Sequence, residues 1–235
     1  MASSESESSL LEGLQAQLAS RAEHLADGAV HSGWKAGFGS EAAMLQLGTA
    51  GPLVGYLTDS TSIASGTTVD VSRWGKAILE PEVAVRLSGS PAVASSPAAA
   101  ADSIDAVAAA VELVDLAGAA GAEASDILAA NVFHRHYVVG EFMPVSDRSA
   151  LERIRISVVD RTENIAADAD PRDAVGDLAE VVLNLARLLD VAGEELREGD
   201  LIITGSAIPA IPLSGGERIE VGLADSRVFL RIASI

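Results

Sequence analysis

Glu80 and Glu82, in the run Ala77-Ile78-Leu79-Glu80-Pro81-Glu82-Val83-Ala84-Val85-Arg86-Leu87, are two carboxylates one residue apart. Read with the two-residue period of a strand, Glu80, Glu82, Ala84 and Arg86 share one face, and Leu79, Val83, Val85 and Leu87 the other. Side chains two apart on one strand stand roughly 7 Å apart at their bases, so two long carboxylate arms can converge on one hard cation such as Mg²⁺. The same pattern also suits the solvated strand face of an acidic protein, because Glu is ordinarily exposed unless paired or metal-bound.

Three other places carry groups able to do chemistry. Lys35, one of two lysines, lies in Gly33-Trp34-Lys35-Ala36-Gly37-Phe38-Gly39, where glycines let a ligand approach the backbone. A partly desolvated lysine there is an anion clamp or a base; the alternative is a surface lysine beside a packed Trp34. Glu112 falls on the margin of an apolar stripe, from which a carboxylate either turns inward or is solvated. His134 and His136 have the strand spacing of a two-histidine metal pair, but no third His or Cys ligand accompanies them, which argues against zinc. Gly37-x-Gly39-x-x-Ala42 mimics a dinucleotide fingerprint without the strand and βαβ unit that such a site requires.

The elements that must position these groups follow from periodicity and punctuation. Ser9-Leu10-Leu11-Glu12 is a capping box that opens a helix over 9–27. Ser40-Glu41 caps a short helix that stops at Gly48. Short strands are expected at 54–57 and 68–71, then the carboxylate strand. The Ala-rich stretch 97–116 reads as a helix with Ile104, Val107, Ala108 and Val111 as its stripe. Residues 131–140 read as a strand with Asn131, Phe133, Arg135 and Tyr137 on one face and the two histidines on the other. A strand at 153–160 buries Ile154, Ile156 and Val158, and Pro171 opens a helix reaching Gly193. Gly199 to Gly205 turns into a buried strand, and 218–223 with 227–232 form a terminal pair. Strands dominate without regular βα alternation, so the expected class is α+β: a mixed sheet curled into a roll or barrel with flanking helices.

Composition narrows the partners. A formal net charge of -18, from 16 Lys+Arg against 34 Asp+Glu, excludes the basic stripe that a nucleic-acid partner needs and favours cations or small molecules. With 49% hydrophobic residues and a mean hydropathy of +0.29 the chain is too apolar for disorder, yet no uncharged run reaches a membrane span. Having no cysteine, it cannot use disulfides, thiolate catalysis or Cys-zinc sites. The polar, acidic start from Met1 to Ser8 lacks the features of a secretory signal, so the expectation is a disordered tail over 1–8, one domain over 9–235, and a cytoplasmic location.

Taken in order, several segments resemble the fumarylacetoacetate hydrolase superfamily, most closely its 2-hydroxypentadienoate hydratase and 4-oxalocrotonate decarboxylase branch. The carriers are Gly33-Trp34-Lys35-Ala36-Gly37-Phe38, Gln46-Leu47-Gly48, Glu80-Pro81-Glu82-Val83-Ala84, Val111-Glu112-Leu113-Val114, Asn131 ahead of Tyr137-Val138-Val139-Gly140, and Gly199-Asp200-Leu201-Ile202-Ile203-Thr204-Gly205. The resemblance implies a β-roll holding one Mg²⁺ or Mn²⁺ through Glu80, Glu82 and Glu112, with Lys35 assisting beside the carboxylate of a 2-keto acid. It places Asn131, Phe133, Arg135 and Thr204 on the substrate pocket, and it implies a homo-oligomer.

Departures from that pattern fall at acid-base positions and at a substrate-facing serine, and imply a bulkier, more aromatic and newly cationic pocket. The hydratases' Pro-Asp-Phe-Gly reads Pro52-Leu53-Val54-Gly55, their Asp-Asn-Ala-Ser reads Ala130-Asn131-Val132-Phe133, and their Gly-His-Pro reads Gly176-Asp177-Leu178. The resulting expectation is a metal-dependent lyase that works through an enolate, with hydration as the inherited reaction. The alternatives are a decarboxylase, a tautomerase or a carbon-carbon hydrolase acting on a bulkier substrate, and a non-catalytic paralogue that packs against an active relative.

Overall fold

Apolar alternation and a few long strands organise the chain into two mixed sheets with helices at their margins. The fold is given by a computed structural model, which describes residues 4–93, 96–146, 151, 154–159 and 165–234. In chain order the elements are α1 (Ser4–Ala26), β1 (His31–Gly37), α2 (Glu41–Leu47), β2 (Leu53–Thr58), β3 (Thr68–Val69) and β4 (Ala77–Leu87). They continue with α3 (Pro97–Ala101), β5 (Ile104–Asp115), α4 (Ala124–Ala129), β6 (His134–Val139), β7 (Met143–Pro144), β8 (Ile156–Val159) and β9 (Ile165–Ala169). The last third holds α5 (Arg172–Val175), α6 (Leu178–Val191), β10 (Leu201–Ser206), β11 (Ile211–Pro212), β12 (Arg218–Leu223) and β13 (Ser226–Ile232).

The larger sheet runs β2-β1-β10-β4-β5-β6, with β11 added to β4 and β7 to β5; the smaller runs β3-β13-β12-β8-β9. Pairing is antiparallel except for β1 with β10 and β13 with β3, which makes both sheets mixed. The main core lies where the sheets face each other: Val83, Val85, Val107 and Ala109 of one join Ile156, Val158, Val221 and Val228 of the other. The expected mixed-sheet roll with flanking helices is the fold observed. Among the described residues no helix is long and apolar enough to cross a membrane.

Several local expectations need correction. Helix α1 begins at Ser4, so residues 4–8, expected in a disordered tail, lie inside it. The expected helix over 97–116 shrinks to the five residues of α3, capped by Ser96, whose side chain accepts a hydrogen bond from Ala99 N–H. The remainder is the twelve-residue strand β5, buried along almost its entire length. A strand covered on both faces reads as an unbroken apolar run, and small alanines suit the gap between packed layers, so tertiary pairing overrides alanine's helix preference.

The expected strand over 131–140 starts only at His134, because Asn131, Val132 and Phe133 take left-handed φ values of 49°, 52° and 61°. The helix expected from Pro171 to Gly193 is two helices. Gly176, at φ 78°, ends α5, and the Asp177 side chain then caps α6 by accepting from Ala179 and Glu180 N–H. Its expected stripe of Leu178, Val181, Val182, Leu185 and Leu189 is buried. Of the strand expected at 153–160, Arg153 and Asp160 lie outside the described residues, while Ile154, Ile156 and Val158 are buried.

Strand β1 carries Lys35 into the large sheet, and Gly33 sets its approach to β10. Gly33 sits opposite Leu201 at φ 147°, and a Cβ there would overlap the Leu201 carbonyl oxygen. Gly33→Ala is expected to destabilise the fold by about 3 kcal/mol or more, because the obstruction is backbone that cannot step aside. Urea unfolding checks this, and a loss below roughly 1 kcal/mol would contradict the close β1–β10 pairing.

Candidate metal centre

The β4–β5 register brings the carboxylates together. Glu80 lies directly across from Glu112, and Glu82 across from Ala110. Strand β10, on the other side of β4, pairs Ile203 with Ala84 and Ser206 with Glu82, so it carries one extra residue over this interval. The bulge turns Gly205 N–H onto Glu82 Oε2 at 2.7 Å, and Thr204 Oγ1 donates to the Val83 carbonyl at 3.0 Å. Bulges re-aim backbone groups in this way beside functional sites.

Lys35 reaches the same point from β1. Its cross-strand neighbour on β2 is Gly55, where an added Cβ would lie 2.9 Å from both Cγ and Cε of the lysine. That glycine leaves room for the lysine stem. Lys35 Nζ lies 2.8 Å from Glu112 Oε1 and 2.9 Å from Oε2, with the lysine 1% exposed and the glutamate fully buried.

Each of Glu80, Glu82 and Glu112 offers one oxygen to a set whose members all lie within 4.8 Å of one another. Glu82 Oε1 is buried with no hydrogen-bond partner among the described residues. A buried orphan acceptor is costly, and a cation beside it would satisfy it. The all-oxygen, carboxylate-rich donor set suits Mg²⁺ or Mn²⁺ better than a thiolate- or imidazole-seeking ion.

The electrostatics point the same way. Burial, then Glu112, pushes Glu80 up to about 7 against the pull of Lys35. Glu82 is raised well above the usual carboxylate range by burial, then by Glu112 and Glu80. Burial also raises Glu112, but Lys35 and His134 more than offset it, and Glu112 ends below its ordinary value. Without a counter-cation, burial and mutual repulsion thus favour the protonated forms of Glu80 and Glu82, while Lys35 and His134 favour the charged form of Glu112.

A cavity of about 700 Å³ opens onto the site, lined by Lys35, Glu80, Thr204 and Gly205 and, farther out, by Phe38 and Met44 of the α2 side. Of the residues expected on the substrate pocket, Thr204 lines it. Asn131 does not; its side chain binds the β2 backbone, Oδ1 accepting from Tyr56 N–H at 2.8 Å and Nδ2 donating to Tyr56 O at 3.1 Å. Phe133 packs edge-on against Phe38 with ring centres 6.4 Å apart. Arg135 is half-exposed and meets Asp115 at 3.5 Å, outside the cavity. The left-handed turn at 131–133 breaks the period that would have placed Asn131, Phe133 and Arg135 on one face.

His134, absent from the expected site, is part of it. Its Nδ1 lies 2.7 Å from Glu112 Oε1 and its Nε2 3.0 Å from Thr61 Oγ1. His134 pairs with Val114, two residues from Glu112 and on the same face of β5. Only the strand register could have revealed this contact, and that register is hidden while β5 reads as a helix. His136 takes no part, its ring stacking instead on Trp74.

Residues 34–229 match the family model for fumarylacetoacetate (FAA) hydrolase C-terminal. A 4-oxalocrotonate decarboxylase from Pseudomonas sp. is 28% identical over 197 residues, spanning 83% of this chain and 75% of that protein. The structure of 4-oxalocrotonate decarboxylase from Pseudomonas putida G7, complexed with magnesium and adipate, aligns at TM-score 0.82 and 24% identity, covering 92% of this chain and 83% of that one. Fumarylpyruvate hydrolase from Pseudomonas aeruginosa, in complex with Mn²⁺ and pyruvate, aligns at 0.66 and 18%, covering 88% and 91%.

The titration of the triad predicts how pH acts. Glu80 is raised from 4.5 to about 7, so between those values the native metal-free protein keeps protons at this site that the unfolded chain has lost. Its stability is therefore expected to fall as pH rises across that interval, and Mn²⁺, which displaces the protons, should bind more tightly as pH rises through about 7. Thermal unfolding with and without Mn²⁺ checks both signs. The gain in Tm from Mn²⁺ should be larger at pH 8 than at pH 6, and an equal gain at both would contradict the protonated-triad picture.

Proposed function

The chain belongs to the fumarylacetoacetate hydrolase family, and on that footing we propose that it is a divalent-metal-dependent enzyme that forms the enolate of a 2-keto acid, most closely a decarboxylase of a 2-keto diacid. The observation that carries this reading is the Glu80-Glu82-Glu112 set, with Lys35 beside it at the inner end of the cavity. Glu80, Glu82 and Glu112 would hold the ion. Mg²⁺ or Mn²⁺, when bound, supplies Lewis-acid stabilisation of the negative charge that develops on the keto oxygen.

The remaining work falls to the chain's own groups. Lys35 lies in a water-poor site where its charge is worth far more than in water, so it can orient a substrate carboxylate and stabilise developing anionic charge. Gly37 and Gly55 keep its surroundings open. In decarboxylation the bond to the departing carboxylate breaks, CO₂ leaves, and the electron pair moves through the conjugated chain onto the keto oxygen.

Water addition asks more of the protein, because a proton carrier must serve the carbon being hydrated. Leu53 stands where the related hydratases place an aspartate, and it is 1% exposed in the core. This favours decarboxylation over the hydration that the resemblance alone suggests. A second reading, carbon-carbon bond hydrolysis, is supported by a cavity of about 700 Å³, roomy for a short keto acid. The same family footing supports a homo-oligomer acting on a small molecule in the cytoplasm.

Incubation with 4-oxalocrotonate and Mn²⁺, followed by CO₂ release and ultraviolet absorbance, tests the proposal. Metal-dependent CO₂ release is expected, abolished in Glu82→Ala and lowered about 10²- to 10³-fold in kcat by Lys35→Ala. Loss of 2-hydroxypenta-2,4-dienoate without CO₂ would favour the hydratase, and pyruvate-type fragments from acylpyruvates the hydrolase. No metal-dependent turnover of any of these would favour the non-catalytic paralogue.

A further inference from the structure

His134 is buried against the proposed metal set, and the reaction proposed above assigns it no role. Its side chain is 2% exposed, and both ring nitrogens are engaged, Nδ1 with Glu112 and Nε2 with Thr61. The far end of this relay is itself anchored: Thr61 Oγ1 donates to the Thr58 carbonyl at 3.1 Å, and Ile63 N–H donates to the Tyr137 carbonyl of β6 at 2.9 Å. The imidazole is thus fixed from behind and cannot turn freely away from the carboxylate.

The two oxygens of Glu112 are not equivalent. Among the described residues, Oε1 meets both Lys35 Nζ, at 2.8 Å, and His134 Nδ1, at 2.7 Å, whereas Oε2 meets Lys35 alone, at 2.9 Å. Oε2 keeps the greater spare acceptor capacity. Lys35 already spans both oxygens, so among the described contacts His134 alone distinguishes them; without it, nothing described would hold the carboxylate against rotation about the lysine.

We propose that His134, braced by Thr61, is a positioning residue that fixes the rotation of Glu112 so that Oε2 remains available to a divalent cation while Lys35 is shared. The inference rests on the metal reading of the triad. Carboxylate ligands are commonly oriented by such hydrogen-bonded neighbours, and losing one typically costs 10- to 100-fold in metal affinity.

The test measures Mn²⁺ affinity by isothermal titration, and the Mn²⁺ electron paramagnetic resonance line shape, in wild type, His134→Ala, His134→Asn and Thr61→Val, alongside urea unfolding of each metal-free protein. His134→Ala should weaken Mn²⁺ binding about 10- to 100-fold and alter the line shape. His134→Asn, whose amide N–H can replace Nδ1–H, should recover most of the affinity, and Thr61→Val should weaken binding by a smaller factor. If His134→Ala does not fold, the other two variants carry the test through the same affinity order. Wild-type affinity in His134→Ala, or in Thr61→Val should the alanine variant not fold, would overturn the proposal alone. So would a loss that tracks stability without rescue by Asn. Absence of Mn²⁺ binding to the wild type would instead remove the metal reading, and this proposal with it.

Discussion

Three carboxylates held within 4.8 Å of one another, with one buried lysine among them, set the condition that the rest of the structure serves. Two unit charges 4 Å apart interact by about 4 kcal/mol even at an effective dielectric of 20, so the cluster cannot remain fully ionised with a single positive partner. Without an ion, burial and repulsion push Glu80 and Glu82 toward their protonated forms. A divalent ion offers another solution, in which the carboxylates ionise and the orphan Glu82 Oε1 gains a partner. The buried carboxylates are hard to account for as stabilising features, since ion pairs in a protein interior rarely outweigh apolar packing.

Rigid elements make such a cluster possible. The carboxylates come from two adjacent, fully paired strands, and Lys35 from a third that is hydrogen-bonded on both sides. A site mounted on strands whose backs lie in the main core has little freedom to relax by spreading apart. Where a regular ladder would not serve, the sheet departs from it. The bulge at Thr204 and Gly205 directs an N–H onto Glu82, and Gly55 vacates the space that the lysine stem fills. The open side is the cavity, onto which Glu80 and Lys35 face.

Much of this arrangement was legible in the sequence, and the parts that were not have identifiable causes. The shared face of Glu80 and Glu82 follows from the two-residue period, and the terminal hairpin and the core stripe of α6 from equally plain patterns. Glu112 was a different case: its local sequence favours a helix, and only the resemblance of ordered segments brought it into the site. The alanines of β5 carry little strand preference of their own, and the pairing with β4 and β6 decides their state. His134 required that pairing to be known, including its register shift between Leu113 and Val114. Asn131 tolerates a left-handed backbone, but Val132 and Phe133 do so rarely, and the turn they form removed Phe133 and Arg135 from the face they were expected to share.

The family relationship accounts for the fold and the order of the charged residues, while Leu53 and Phe133 depart from the pattern that the sequence resembles. Everything proposed about the reaction depends on an ion sitting among Glu80, Glu82 and Glu112. Anomalous diffraction at the manganese edge from crystals soaked in Mn²⁺ addresses that claim most directly. The account predicts one strong peak per chain bonded to an oxygen of each of the three glutamates, with Lys35 still in contact with Glu112. A map with no peak there and Glu112 unmoved beside Lys35 would contradict it.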